Sequence, residues 1–152
     1  MAKLQVKRKL LDICSKTITD RIDTLYENLE SIRAARNNET KSSAGDKYET
    51  GRAIMQIEED NYKKQLHQAL LLKNQLEQIN INRSTAKADL GSLVITDVAG
   101  YFISIGLGEI TLAKESYYCI SPASPIGQKV MNQTAGYKLE FNGKSQVILE
   151  IY

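Results

Sequence analysis

At 152 residues the chain has room for one ordinary domain or two small ones, and 42% apolar residues suffice for a packed core. A formal net charge of +2 excludes a whole-molecule field strong enough to drive nucleic-acid binding by itself. No apolar run approaches the ~20 residues needed to span a bilayer, so the reading is a cytoplasmic protein without a membrane partner.

The opening stretch "MAKLQVKRKLLDICSK" is basic but has no continuous apolar segment of the signal-peptide kind. Lys3, Lys7, Arg8, Lys9 and Lys16 face one acid, Asp12. Contact with nucleic acid or an acidic protein is one reading of that excess; a solvated helix face is the preferred one. Cys14 and Cys119 lie far apart in different kinds of sequence. They form neither a disulfide framework nor a metal-ligand spacing, and two buried free thiols are expected.

Helical periodicity comes next. Ile18, Ile22, Leu25, Leu29 and Ile32 recur in steps of four and three, which keeps them on one side of a helix. A second run repeats the pattern with Met55, Tyr62, Ala69, Leu72, Leu76 and Ile79, with Leu66 and Leu70 beside it. Between the two lies "NNETKSSAGDKYETGR", Asn37–Arg52, a polar stretch expected to interrupt the helices. Two runs of similar length with a short joint predict an antiparallel helical hairpin, a coiled coil over 1–82 with its tip near 37–50. Arms of about 30 residues give a rod of roughly 45 Å.

The grammar changes near "NRSTAKADLGS". "SLVITDVAGYFISIGLGEITL" is β-branched and aromatic with glycine turns and reads as short strands. Ser124 followed by Pro125 is an N-cap and a first-turn proline, predicting a short helix Pro125–Met131 that Asn132 ends in a left-handed conformation. Asn142-Gly143 between "YKLEF" and "QVILEIY" is a type I′ hairpin signal. Residues 83–152 are therefore expected to form a small sheet with one short helix, and the whole chain is of the α+β class.

The two-part layout, together with "ISPASPIGQKVMNQTAG", resembles the Gre-type bacterial transcription elongation factors. In this sequence the matching positions are Ile120, Ser121, Ser124, Pro125, Ile126, Gly127, Val130, Met131, Asn132 and Gly136. Two positions depart. Asn132 stands where the family usually has glycine, and Tyr137 where an aspartate commonly follows the second glycine. The resemblance implies an FKBP-like C-terminal domain that docks on RNA polymerase, with Ser124, Pro125, Ile126 and Gly127 in the docking region. It also implies a hairpin that enters the polymerase secondary channel, where tip carboxylates help hold a Mg²⁺ for hydrolysis of backtracked RNA. Contact with nascent RNA and DNA would then be indirect. No membrane, no small-molecule substrate and no intrinsic cofactor are expected; Mg²⁺ would be shared with the polymerase.

Registering the family's tip tyrosine on Tyr48 puts its two acidic positions at Lys41 and Ala44, neither of which holds a cation. The acids available are Glu39, Asp46 and Glu49. Asp46 and Glu49, three apart, share a helix face and form a shifted candidate pair, with Asp46 the candidate Mg²⁺ ligand. Lys41, Lys47, Tyr48 and Arg52 are the candidate contacts of the same region. The competing reading takes Ser43 and Asp46 as a capping box. Stimulated cleavage and simple occupation of the channel stay open, so any catalysis expected is the polymerase's own.

Other chemistries fare worse. Cys119 and His67, the single histidine, lack the partners a nucleophilic site needs. Tyr101, Phe102, Tyr117, Tyr118 and Tyr137 could line a proline pocket, giving a prolyl isomerase as one alternative. A coiled-coil adaptor or oligomerisation protein is another.

Overall fold

The computed structural model describes residues 1–40 and 45–152, and side chains except at 39–48. Two long helices come first: α1, Lys3–Thr40, and α2, Gly45–Glu77. The described residues of the polar stretch, 37–40 and 45–52, are thus helical. No proline is present there to break a helix. A six-stranded mixed sheet follows, with one short helix inserted, so the protein is α+β.

Packing divides the chain into two compact units, Thr17–Asn74 and a second formed by Met1–Lys16 with Gln75–Tyr152. In the helical unit the seam residues Ile18, Ile22, Leu25, Leu29 and Ala69 are buried. Ile32, Met55, Tyr62, Leu66 and Leu72 are half-buried, whereas Leu70, expected beside the seam, is 41% exposed. Arg33 Nε donates to Glu59 Oε1 (3.3 Å), and Arg36 donates to Gln56 Oε1 (3.3 Å) as well as to Glu59. Three residues forward on α1 correspond to three residues back on α2, so the helices run in opposite directions where they meet.

The sheet unit holds β1 (Leu93–Thr96), β2 (Gly100–Ile103), β3 (Gly108–Leu112), β4 (Glu115–Ile120), α3 (Pro125–Val130), β5 (Lys138–Phe141) and β6 (Lys144–Ile151). The strand order is β3-β4-β2-β1-β6-β5. Only β2 and β4 pair in parallel. The long β6 serves two neighbours end to end, pairing residues 144–147 with β5 and residues 148–151 with β1. The β1–β6 register slips by one where Thr96 meets Ile148, and this bulge turns Leu149 outward, 50% exposed.

Side-chain alternation assigns the two faces of the sheet. Val94, Tyr101, Ile103, Ile120 and Ile148 form a core with Ile126 and Val130 of α3. Leu93 pairs with Phe102, and Phe102 with Cys119, so these three point to the opposite face. There Cys14 of α1 lies against Cys119, with sulfurs 3.7 Å apart. Gln75 Nε2 from the last turns of α2 donates to the Ser104 carbonyl on the same unit (3.1 Å). A sheet covered on both sides has all four residues of β2 buried, and Phe102, with no exposed surface, is its largest filler. Burying such a side chain contributes roughly 1.5–3 kcal/mol.

The stripe on α1 begins earlier than its periodicity was expected to. Val6, Leu10 and Cys14, each at most 1% exposed, continue the spacing back from Ile18. The basic opening segment is therefore a core-forming helix whose charges, Lys7 excepted, lie on its remaining faces. No helix among the described residues is long and apolar enough to cross a membrane.

Candidate partner-binding site

The segment that carries the resemblance, Ser121–Asn132, is built by local chemistry. Ser124 has an extended backbone, and its Oγ accepts from Gly127 N (3.1 Å) while donating to the Ser121 carbonyl (2.7 Å). Pro125 occupies the first helical turn, where its missing N–H has no partner to lose. Gly127 is required by space: a Cβ there would stand 2.0 Å from the Ser121 carbonyl oxygen. Asn132 takes the left-handed conformation (φ 65) and donates its N–H to Ala88 (2.8 Å). Of the four candidate docking residues, Pro125 is exposed, Ser124 half-exposed, and Ile126 and Gly127 are buried.

Ile126 faces the sheet and forms one wall of a cleft of about 510 Å³. Tyr101, Tyr118, Ile120 and Phe141 supply the other apolar surfaces. The rings of Tyr101 and Tyr118 lie 5.9 Å apart, tilted by 33°. Gln146, 4% exposed, orders the polar end: its Oε1 accepts from Tyr101 Oη (3.0 Å) and Thr96 Oγ1 (2.8 Å). Burial pushes the Tyr101 phenol above its usual pKa, so it remains a neutral hydrogen-bond donor. Lys144 and Asn142 also line the cleft. It presents apolar and aromatic surface with oriented amide and hydroxyl groups, suited to an apolar side chain or small ring. No acid, base or nucleophile pair converges in it.

The aromatic residues expected to line one pocket are divided. Tyr101 and Tyr118 line the cleft, Phe102 is in the opposite core, Tyr117 is buried with its hydroxyl on Glu115, and Tyr137 is exposed. Ile126 is a candidate docking residue of the sequence, whereas Phe141 and Gln146 are cleft residues that sequence reasoning missed. Only the β5–β6 hairpin signal pointed to the strands carrying them.

The tip candidates belong to the helical unit. Lys41 lies outside the described residues, as does Ser43 of the proposed capping box. Asp46, Lys47 and Tyr48 fall in the first turns of α2, but their side chains lie outside the described ones, as does that of Glu39. Glu49 and Arg52 are exposed on α2. Among the described residues no group of three or more His, Cys, Asp or Glu side chains is placed to hold a metal ion.

The nucleophile reading of Cys119 loses its chemistry here. Its contact with the Cys14 thiol and its burial push the Cys119 thiol well above the ordinary range, and His67 is an exposed residue of the helical unit. No protein-family model matches the chain, and neither curated proteins nor solved structures include a significant match to it.

Proposed function

We propose that the protein is an RNA-polymerase-binding regulator of transcript elongation. In this reading α1 and α2 form an antiparallel coiled-coil hairpin whose turn enters the secondary channel, and the sheet with α3 is an FKBP-like docking domain. The observation that carries it is the antiparallel pairing of Arg33 and Arg36 with Glu59 and Gln56. In this reading Asp46 and Glu49, in the first turns of α2, are carried toward one end of the two-helix element. At ~1.5 Å per residue, an α2 of 33 residues is long enough to carry a carboxylate into a narrow channel. The capped α3 and its cleft supply an apolar docking surface beside Pro125.

The protein itself performs no chemistry in this reading. Asp46 and Glu49 either complete a Mg²⁺ site of the polymerase, with Asp46 the ligand, or merely occupy its channel. The test is a backtracked elongation complex of the host's own polymerase, with binding and RNA cleavage followed together. Binding that weakens when Ile126 is changed to Asp supports the reading. Cleavage that Asp46→Asn or Glu49→Gln abolishes assigns the acids a metal role. Failure of the wild-type protein to bind the polymerase overturns the proposal in favour of a coiled-coil adaptor.

A further inference from the structure

The sheet ends in two edge strands, β3 and β5, and treats them differently. On β5 the outward-facing Glu140 carbonyl accepts from Lys129 Nζ, and Lys138 adds a second charge to that strand. Lysines on an edge guard it against pairing with another chain. On β3, Gly108, Glu109 and Thr111 are exposed, and Ile110 and Leu112 are half-buried. Neither proline nor lysine interrupts Gly108–Leu112.

The hydrogen-bond phase of β3 follows from its neighbour β4. The Cys119 carbonyl accepts from Leu107 N (3.1 Å) and the Ile120 carbonyl from Ser104 N (2.7 Å), so alternate residues of β4 serve β3 and β2. Residues 108, 110 and 112 align with 119, 117 and 115 and turn their peptide groups toward β4. Glu109 and Thr111 therefore turn theirs away from the sheet, where no described residue pairs with them.

This outward row is complementary to itself. In an antiparallel pair of two β3 strands, residues that exchange bonds must both face outward, and that condition admits few registers. Glu109 on Glu109 opposes like charges and sets Thr111 against Leu107, whose N–H already serves Ile105 and Cys119. Thr111 on Thr111 sets Glu109 against Ala113, which the β3–β4 turn holds at φ 49, outside the extended region. Glu109 on Thr111 has neither fault. It uses every outward N–H and C=O of both residues, sets each carboxylate beside a hydroxyl, and brings Ile110 against Ile110 of the second copy.

We propose that β3 is a self-association edge, on which a second copy of this chain pairs antiparallel through Glu109 and Thr111 with Ile110 at the two-fold axis. A contact of one strand per copy falls below the ~1,200 Å² of a standard interface, so the dimer is a weak one, half-formed on the order of 0.1 mM. It does not depend on polymerase binding. The test is sedimentation equilibrium of the full chain from about 10 µM to 1 mM, with ¹⁵N amide shifts followed over the same range. The expected result is a mass rising toward the dimer, with shifts centred on residues 108–112. Thr111→Lys places opposite charges across the pair and should tighten it about threefold or more, whereas Thr111→Glu places like charges and should weaken it as much. Thr111→Pro removes an outward N–H that β4 does not use and should abolish the dimer. Should Thr111→Pro not fold, the two charge substitutions at this exposed position still decide the matter. A chain that stays monomeric throughout, shifts centred on α1 or α2, or the same response to Thr111→Lys and Thr111→Glu overturns the proposal.

Discussion

Cys14 and Cys119, 105 residues apart in the chain, hold their sulfurs 3.7 Å from each other, with Ser104 Oγ 3.6 Å from Cys14. Both thiols are free and buried. Reaction with a thiol reagent then requires the N-terminal turns of α1 to leave the sheet. In native protein both cysteines should resist Ellman's reagent, and both should titrate at once in denaturant. A rapid native reaction of either thiol would show that α1 does not stay seated on this face.

Glu59 is 3% exposed and is approached by Arg33, Arg36 and Lys63. Burial alone raises its pKa, but the hydrogen bonds from Arg33 and Lys63 and the charge of Arg36 outweigh that and hold the carboxyl below its ordinary range. A depressed carboxylate pKa stabilises the fold above the unfolded-state value, about 4.3, and that contribution disappears as pH falls through the folded-state value. The melting temperature of Glu59→Gln should therefore lie below wild type at pH 7. The gap should persist down to about pH 5 and close in more acidic buffer. A gap independent of pH would mean that Glu59 acts through packing and not through charge.

Two hairpins in the sheet use two-residue loops with positive φ at both positions. Asn142 and Gly143 (φ 51 and 76) suit that geometry, whereas Ala113 and Lys114 (φ 49 and 68) do not. Ordinary L-residues are disfavoured there by Cβ crowding. Replacing Ala113-Lys114 by Asn-Gly should stabilise the protein by roughly 1 kcal/mol, read from the urea midpoint at unchanged m-value. An unchanged midpoint would show that the β3–β4 loop carries little strain.

Gly127→Ala tests whether the motif residues around α3 serve packing. The added methyl would meet the Ser121 carbonyl at 2.0 Å and the Pro122 carbonyl at 2.9 Å, both backbone atoms. A loss of about 2 kcal/mol or more is expected in equilibrium unfolding. Ser124→Ala, which removes one cap, should cost about 1 kcal/mol. If Gly127→Ala is neutral in stability, the glycine is there for some reason other than space.

These positions show what the sequence made legible. Ser124-Pro125, the left-handed Asn132 and the Asn142-Gly143 turn each satisfy a backbone requirement within a few residues, so local chemistry declared them. The Ala113-Lys114 turn has no such signature, because pairing of β3 with β4 imposes the conformation on unsuitable residues. The 37–52 stretch looked like a break because it is polar and rich in Gly, Asn and Ser, yet its described residues are helical, since no proline forbids the conformation and the long helices on either side extend into it. Lys7 looked like a surface charge among four others, and only tertiary packing places it below the surface. Cleft residues Phe141 and Gln146 share one hairpin, but Ile126 and Tyr101 reach the cleft from other elements, and no spacing rule joins them.

The division of labour along β6 has a consequence for how the sheet opens. Its first four residues pair with β5, with Val147 tied also to Asp97 and Gln146 to Thr96 and Tyr101, while its last four are stitched to β1 in the middle of the sheet. Peeling of the β5–β6 hairpin leaves the β1–β6 pairing of residues 148–151 in place but breaks the bonds of Gln146 and Val147 to Thr96, Tyr101 and Asp97, and with it would go Phe141, Lys144 and Gln146, one side of the cleft. Amide protons paired across that hairpin should exchange with deuterium well before those paired between β1 and the end of β6. The cleft would then breathe at the pace of that hairpin while the floor formed by Tyr101 stays shut.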